Sequence, residues 1–217
     1  AETKYQIYIS PKLYPMIYQY SLVEKIEGSS FLKVIFHPLS SWDRFLKRVI
    51  DIVISVVSLT VLSPIMLLLG ILIKLDTPGP VFYRQARVGL RGKKFTLIKF
   101  RSMISDAEKQ SGPVWAKKND KRTTRVGRIV RPYRLDELPQ LFNVLKGEMS
   151  FVGPRPERPA FVKHLGEAIP FYGLRLIVYP GITGWAQVKH NYDRSLDDVK
   201  KKLEFDLEYI NNISLRL

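Results

Sequence analysis

The chain has 217 residues, a length that suits one domain of ordinary size with an appendage. Its 35 lysines and arginines against 20 acids give a formal charge of +15, which favours an anionic partner: nucleic acid, a phosphorylated ligand or an acidic membrane surface. The sequence contains no cysteine, which excludes disulfides and thiolate metal sites, and its three scattered histidines argue against a histidine-based zinc site.

Residues 1–40 contain two stretches typical of β-strands, KYQIYIS and FLKVIFHPL, in which β-branched and aromatic residues recur. The segment is too short to bury a core of its own. We therefore interpret it as the C-terminal remnant of an upstream domain or as a β-rich extension.

Residues 41–75 predict a membrane segment preceded by an interfacial lead-in. The run VIDIVISVVSLTVLSPIMLLLGILI contains a single charge, Asp51, and exceeds the length of about 20 apolar residues that crosses a bilayer. The lead-in SSWDRFLKR places aromatic and basic residues where headgroups lie. The alternative is a buried core helix, but such helices are usually shorter and polar on one side.

Ser63-Pro64 falls in the middle of this run, where proline removes a backbone N–H and clashes with the carbonyl of Thr60. The resulting pieces, about 14 and 10 residues long, are each too short to cross a hydrocarbon core of about 30 Å. Basic residues flank both ends of the run, which suits ends that return to the same face. We expect a re-entrant helix–break–helix, and a kinked spanning helix is the alternative.

Residues 76–217 mix strand and helix patterns. The stretches PVFYRQARVG and KKFTLIKFRSM, joined by residues 89–92, predict a β-hairpin. The polar stretch that follows predicts a short helical start after Ser105 and then a mobile loop. Apolar residues at spacings of three and four predict an amphipathic helix over residues 194–216, with Ser195 and Asp198 forming a capping box.

The stretch RLDELPQLFNVLKG holds two adjacent carboxylates in a basic chain. It predicts a helix with Asp136 at or near the N-cap, Glu137 in the first turn and Gly147 just after the end. One apolar face is expected from four residues: Leu138, Leu141, Phe142 and Leu145. On spacing alone the pattern favours a simple cap. A carboxylate at the N-cap is held ionised, which is also compatible with a nucleophile or a Mg²⁺ ligand.

Arginines surround the two carboxylates in the sequence, and guanidinium groups bind phosphate oxygens in a bidentate manner. The members are Arg125, Arg128, Arg131, Arg134 and Arg155, with Lys99 and Arg101 as further candidates. The turn GPRP would hold Arg155 rigidly. Acids, arginines and a membrane segment together favour phosphoryl chemistry on a lipid substrate.

Four groups of residues, in this order, resemble the bacterial sugar transferases, the monotopic phosphoglycosyl transferases. They are KRVIDIVISVVSLTVLSPIMLLLGILIKLDTPGPVFYRQARVG, KFRSM, RLDELPQLFNVLKGEMSFVGPRPE and PGITGWAQV. The resemblance runs from about Trp42 to Leu217. It implies an α+β fold: a re-entrant membrane helix–break–helix, with Ser63-Pro64 as the break, and a small cytosolic catalytic domain with a short β-hairpin over residues 76–217.

The resemblance also implies a reaction at the cytoplasmic face of the bacterial inner membrane. Asp136 would attack a UDP-sugar, release UMP and pass the sugar-1-phosphate to undecaprenyl phosphate, while Glu137 assists. Both carboxylates would organise Mg²⁺. Arg131 and Arg155 match family positions that hold phosphate or nucleotide groups, and Lys99 is a weaker match.

Tyr179 departs from the family pattern, because many relatives carry a basic residue there. The family usually continues beyond the position of Leu217, which suggests a truncated C-terminus. The strand-bearing N-terminus suggests a long-form member whose upstream domain is mostly absent. The identity of the sugar and the oligomeric state, including a homo-oligomer, stay open.

Three other functions are weighed against this one. A nucleic-acid-binding module explains the charge but not the apolar run, and no known reading motif is present. A non-enzymatic basic membrane scaffold leaves the arginines around the carboxylates unexplained. A Mg²⁺-dependent glycosyltransferase acting on a lipid acceptor would release UDP instead of UMP.

Overall fold

The structure is a computed structural model of the chain. It describes residues 7–9, 21–26, 29–34, 39–104, 120–189 and 195–213. The helical start and loop predicted after Ser105 lie largely outside the described residues.

The N-terminal region forms a three-stranded antiparallel sheet of β1 (Ile7–Ile9), β2 (Ser21–Ile26) and β3 (Ser29–Val34), in the order β1-β3-β2. β1 and β3 lie in the two stretches that predict strands. β2, between them, is not predicted, and it pairs with β3 along its whole length from Ser21↔Val34 to Ile26↔Ser29.

Helix α1 (Ser41–Asp76) is 36 residues long, and the Ser40 side chain caps it by accepting a hydrogen bond from Asp43 N at 3.0 Å. Pro64 lies inside the helix. The Thr60 carbonyl, which would have accepted from the missing N–H of Pro64, accepts instead from Ser63 Oγ at 2.8 Å. The helix continues from Ser41 to Asp76 without a break, and the predicted division into two pieces is not confirmed.

The long helix leaves most of its apolar surface uncovered. Its most apolar 18-residue window has a mean hydropathy of 2.6, and 11% of that window is buried. Among the described residues this helix alone is long and apolar enough to cross a membrane. A core helix of a soluble protein would be mostly covered, so the exposure argues against that alternative.

The predicted hairpin is confirmed as β4 (Phe82–Val88) and β5 (Lys94–Phe100), joined through a short 3₁₀ turn at Leu90–Gly92. Directly opposite residues share a face of the pair, so the register Tyr83↔Lys99 puts these two side chains on one face.

The carboxylate-bearing stretch folds as a 3₁₀ turn (Leu135–Glu137) and α3 (Gln140–Leu145), and the short helix α2 (Arg125–Val130) precedes it. Asn143 joins α3 to the free edge of β5, because its amide accepts from Ile98 N at 3.1 Å and donates to Thr96 O at 2.7 Å. This contact turns Asn143 and Val144 inward and leaves Phe142 42% exposed, so the predicted apolar face of α3 is wrong at Phe142.

Two loops are locked together through main-chain contacts. β6 (Ser150–Val152) pairs in parallel with β7 (Gly181–Thr183). A Cβ at Gly153 would lie 2.3 Å from the Tyr179 carbonyl oxygen, and one at Gly184 would lie 2.3 Å from the Gly153 carbonyl oxygen. Glycine is needed at these positions because the backbones touch. The segment that carries Arg155 thus starts from a rigid base.

The main apolar core lies among α4 (Pro159–Ala168), a 3₁₀ segment (Tyr172–Leu176), α5 (Trp185–Lys189) and α6 (Leu196–Asn211). The predicted capping box of α6 is confirmed. Val199, Leu203, Leu207 and Ile210 are buried as its spacing predicts, whereas Leu196 in the first turn is 46% exposed.

Candidate active site

Asp136 and Glu137 lie in the 3₁₀ turn that precedes α3. Arg134, just before the turn, adopts the left-handed conformation with φ 56°. The prediction that Asp136 caps a helix is wrong. α3 begins at Gln140 after Pro139, which makes no side-chain capping bond, and main-chain carbonyls already satisfy the nearby amides, as in Leu141 N to Leu138 O at 3.1 Å.

The Asp136 carboxylate is buried, with 7% of the residue exposed, and it accepts a hydrogen bond from Ser102 Oγ at 3.4 Å. Burial raises its pKa, since desolvation outweighs the opposing positive charges of Lys99 and Arg131. The expectation that a helix N-terminus keeps Asp136 ionised is therefore wrong, because burial raises its pKa. The carboxylate is a stronger base than an ordinary aspartate.

Glu137 is clamped by Arg155 in a two-point contact. Arg155 Nη2 lies 2.5 Å from Glu137 Oε1, and Nη1 donates to Oε2 at 3.2 Å. Arg134 Nη1 approaches Oε2 at 3.9 Å. Burial alone would raise the pKa of Glu137, but the contact with Arg155 lowers it below the ordinary value. Glu137 therefore remains a charged partner beside the less easily ionised Asp136.

Lys99 projects from β5 toward the same region. Its ammonium lies 5.2 Å from the centre of the Tyr83 ring. Burial lowers the pKa of Lys99 to about 8, although the Asp136 charge opposes this shift. A small cleft next to the carboxylates is lined by Arg87, Leu97, Lys99, Gln140, Arg155 and Pro156.

The structure brings Arg131 near the carboxylates and places Arg101 elsewhere. Arg131, at the end of α2, is close enough to lower the pKa values of both Asp136 and Lys99. Arg101 is buried at the carbonyl end of α1, where it donates to Pro78 O at 2.6 Å and Thr77 O at 2.7 Å. Its guanidinium therefore stabilises the C-terminal end of α1.

Sequence reasoning missed Ser102, Gln140 and Arg87, which contact or line the site. The alternation of faces along the strands of the hairpin could have indicated Arg87 as a site residue. Residues two apart in a strand share a face, so Arg87 lies on the same side of β4 as Tyr83, which is opposite Lys99. Gln140 and Ser102 carry no such periodic signal, although Ser102 lies in the KFRSM group. Tertiary packing of α3 and the preceding 3₁₀ turn against the β5 region brings them to the site.

The donor set fits a magnesium ion in part. Within residues 39–104, 120–189 and 195–213, no group of three or more histidine and carboxylate side chains lies together. Asp136 and Glu137 are therefore the adjacent oxygen ligands that the site offers. Mg²⁺ usually binds through one or two carboxylates with water and substrate phosphates, so the pair fits Mg²⁺ that arrives with a diphosphate.

Comparison with known proteins matches the sequence of this chain to a family. The profile described as bacterial sugar transferase matches residues 42–217. The chain is 51% identical over 173 residues to an Aeromonas hydrophila UDP-N-acetylgalactosamine-undecaprenyl-phosphate N-acetylgalactosaminephosphotransferase, covering 80% of this chain and 41% of that protein.

It is also 40% identical over 217 residues to the UDP-glucose:undecaprenyl-phosphate glucose-1-phosphate transferase of Escherichia coli (strain K12), covering 99% of this chain and 47% of that protein. A putative undecaprenyl-phosphate N-acetylgalactosaminyl 1-phosphate transferase of Bacillus subtilis (strain 168) is 54% identical over 131 residues, covering 60% of this chain and 73% of that protein. The chain thus spans less than half the length of the first two relatives. From the profile match and these identities, the chain belongs to the bacterial sugar transferase family.

Proposed function

We propose that the protein transfers a sugar-1-phosphate from a UDP-sugar to undecaprenyl phosphate at a membrane, the first membrane step of exopolysaccharide or glycoconjugate synthesis. The observation that carries the proposal is the buried Asp136 next to the clamped Glu137, with cations around both and an uncovered apolar helix on the same domain. The two relatives from Aeromonas hydrophila and Escherichia coli are named for this class of transfer.

The proposed reaction proceeds in two displacements at phosphorus. An ionised Asp136 oxygen attacks the β-phosphorus of the UDP-sugar, an Asp136 O–P bond forms, and the phosphoanhydride bond breaks with UMP as the leaving group. A phosphate oxygen of undecaprenyl phosphate then attacks the same phosphorus and releases Asp136. A raised pKa suits this role, since the ionised form of a more basic carboxylate is a better nucleophile.

The cations around Asp136 are proposed to bind the diphosphate. Lys99 and Arg131 already counteract the Asp136 charge, and Arg155 borders the cleft beside Lys99. These groups would stabilise charge on the transferred phosphoryl group without reorganising. Bound Mg²⁺, held by Asp136 and Glu137, would neutralise part of the diphosphate charge.

We further propose that α1 bends at Pro64 without ending there, and that it is re-entrant, with both ends at the cytoplasmic face of the bacterial inner membrane. The contacts of α1 support this topology. Asp51, before Pro64, accepts from Phe151 N at 2.9 Å, while Leu69 and Ile73, after it, pack in one cluster with Phe100 of β5. A helix spanning about 30 Å of hydrocarbon would place these two regions on opposite sides, away from one shared domain.

The test is incubation of the membrane-embedded protein with a labelled UDP-sugar and Mg²⁺ but no lipid acceptor, followed by mass spectrometry. We expect a phosphosugar adduct on Asp136 together with released UMP, because the first displacement needs no acceptor. Asp136→Asn should lose the adduct and reduce turnover by about a thousandfold or more.

The matched control is Asp197→Asn, which makes the same substitution at a carboxylate whose side chain is 87% exposed. It should behave as the wild type. Release of UDP in place of UMP would replace the proposal with an ordinary glycosyltransferase, and full activity in Asp136→Ala would exclude Asp136 as the nucleophile.

A further inference from the structure

A second group of charges is buried behind the loop that carries Arg155. Its members are Arg87 of β4, Glu157, Arg175 of the 3₁₀ segment, and Lys202 and Asp206 of α6. Arg175 and Asp206 are the most deeply buried, with side chains 3% and 2% exposed, and Arg175 Nη2 lies 2.8 Å from Asp206 Oδ2. Lys202 Nζ lies 2.9 Å from Glu157 Oε1.

Such a cluster needs an explanation other than stability. Removing charges from water costs about as much free energy as their attraction returns, so buried ion pairs are weak evidence for net stabilisation. They do impose a specific geometry when their hydrogen bonds are directional. The position of these groups against the site therefore indicates what they do.

Each residue of the 155–157 segment is held through its main chain. Arg175 Nη2 donates to the Arg155 carbonyl at 2.9 Å, and Arg87 Nη1 donates to the Pro156 carbonyl at 2.9 Å. The Glu157 carbonyl accepts from Val88 N at 2.9 Å. The Arg155 backbone is thus fixed directly behind the side chain that clamps Glu137.

Arg175 is itself oriented on two other sides. Its Nη1 donates to the Tyr172 hydroxyl at 2.6 Å, and Asp206 approaches its Nη2. The planar guanidinium donates to the Tyr172 hydroxyl and the Arg155 carbonyl and pairs with the Asp206 charge in one orientation, which the single ammonium of lysine does not reproduce. Asp206 lies on α6, so this helix is linked to the site by the contacts from Asp206 to Arg175 and from Arg175 to Arg155.

We propose that Arg175, oriented by Asp206 and Tyr172, is a positioning residue that holds Arg155 in register with Glu137 and the transferred phosphate. The inference rests on the proposed function, because the role of Arg155 is part of it. Arg175 touches no reacting atom. It acts through the carbonyl of Arg155.

The test is a double-mutant cycle in UMP release with Arg175→Lys and Arg155→Lys. If Arg175 acts through Arg155, Arg175→Lys slows turnover about tenfold or more in the wild-type background and changes it less than about twofold in Arg155→Lys. A purely structural role would reduce turnover by the same factor in both backgrounds, which would overturn the inference.

Tyr172→Phe is the second variant, in case Arg175→Lys folds poorly. It keeps the volume of a ring that is 2% exposed and removes only the hydroxyl that orients Arg175. We expect turnover to fall about threefold in a protein that still folds, with a melting temperature lowered only by the loss of one buried hydrogen bond. In the Arg155→Lys background the same substitution should change turnover very little. Unchanged turnover in Tyr172→Phe with additive losses in the cycle would refute the positioning role.

The control is Lys200→Met, which removes a half-exposed charge on α6. Lys200 pairs with the exposed Asp197, so this substitution should leave turnover unchanged. UMP release by the wild-type protein distinguishes failure of the proposed function from failure of this inference. No UMP release by the wild type would defeat the proposed function and the inference with it, whereas an active wild type with additive losses would defeat the inference alone.

Discussion

Burial disfavours the charged forms of the two groups nearest the proposed reaction, Asp136 and Lys99. It raises the pKa of Asp136 and lowers that of Lys99 to about 8. Each charge partly offsets the penalty on the other. The result is a more basic carboxylate next to an ammonium that loses its proton close to neutral pH.

A pH dependence follows from the shift of Lys99. Lys99 is protonated below pH about 8 and neutral above it, so the phosphate loses a cation as the pH rises through that value. We expect kcat/KM for UMP release to fall above pH about 8. Lys99→Arg stays charged throughout this range, so its profile should lack that decline, whatever its absolute rate. The same alkaline decline in both proteins would exclude Lys99 as its source.

At the scale of the elements, α1 is bound to the catalytic region at both ends. Near its start, Arg48 donates to Val144 O at 2.6 Å and Leu145 O at 2.9 Å, the last carbonyls of α3. At its end, Asp76 accepts from Val126 N at 3.0 Å in the first turn of α2. The long helix α1 therefore contacts both helices that flank the carboxylate turn.

This arrangement predicts that Arg48 stabilises the catalytic region through α3. Arg48→Met keeps the aliphatic stem but leaves two carbonyls without their charged donor, so the free energy of unfolding should fall by about 1–3 kcal/mol. Thermal unfolding in lipid nanodiscs measures the change. Arg44→Met is the matched control, since Arg44 bonds at the helix start to Leu39 O and Ser41 Oγ. Equal losses in the two variants would contradict a specific role for Arg48.

At the scale of the whole molecule, the contacts of α1 place one polar domain against both ends of an apolar helix. The middle of the helix is uncovered, with Val61 and Leu67 67% and 69% exposed. A bilayer is the environment that this exposed surface suits. The formal charge of +15 suits a protein that lies against an anionic membrane surface and binds anionic substrates.

The re-entrant topology predicts that both ends of α1 face the cytoplasm. The sequence has no cysteine, so single cysteines at Ser41 and Leu75, both exposed, report each end without interference. A membrane-impermeant thiol reagent should label both variants in inverted vesicles and neither in intact spheroplasts. Labelling from opposite sides would show that α1 spans the membrane.

Local patterns in the sequence were sufficient for several elements. The hairpin of β4 and β5, the capping box of α6 and the long apolar helix each depend on neighbours within a few residues, so spacing alone predicts them. The adjacent carboxylates and the rigid GPRP turn were visible in the same way.

By itself, the sequence determined the long apolar helix, the adjacent acids Asp136 and Glu137, and a surplus of cations near them. Only the tertiary structure decided that Asp136 is a buried carboxylate with a raised pKa instead of a helix cap, and that Arg155 clamps Glu137. The physical reason is that burial and ion pairing depend on residues far apart in the chain, such as Asp136 and Ser102, which local periodicity does not relate.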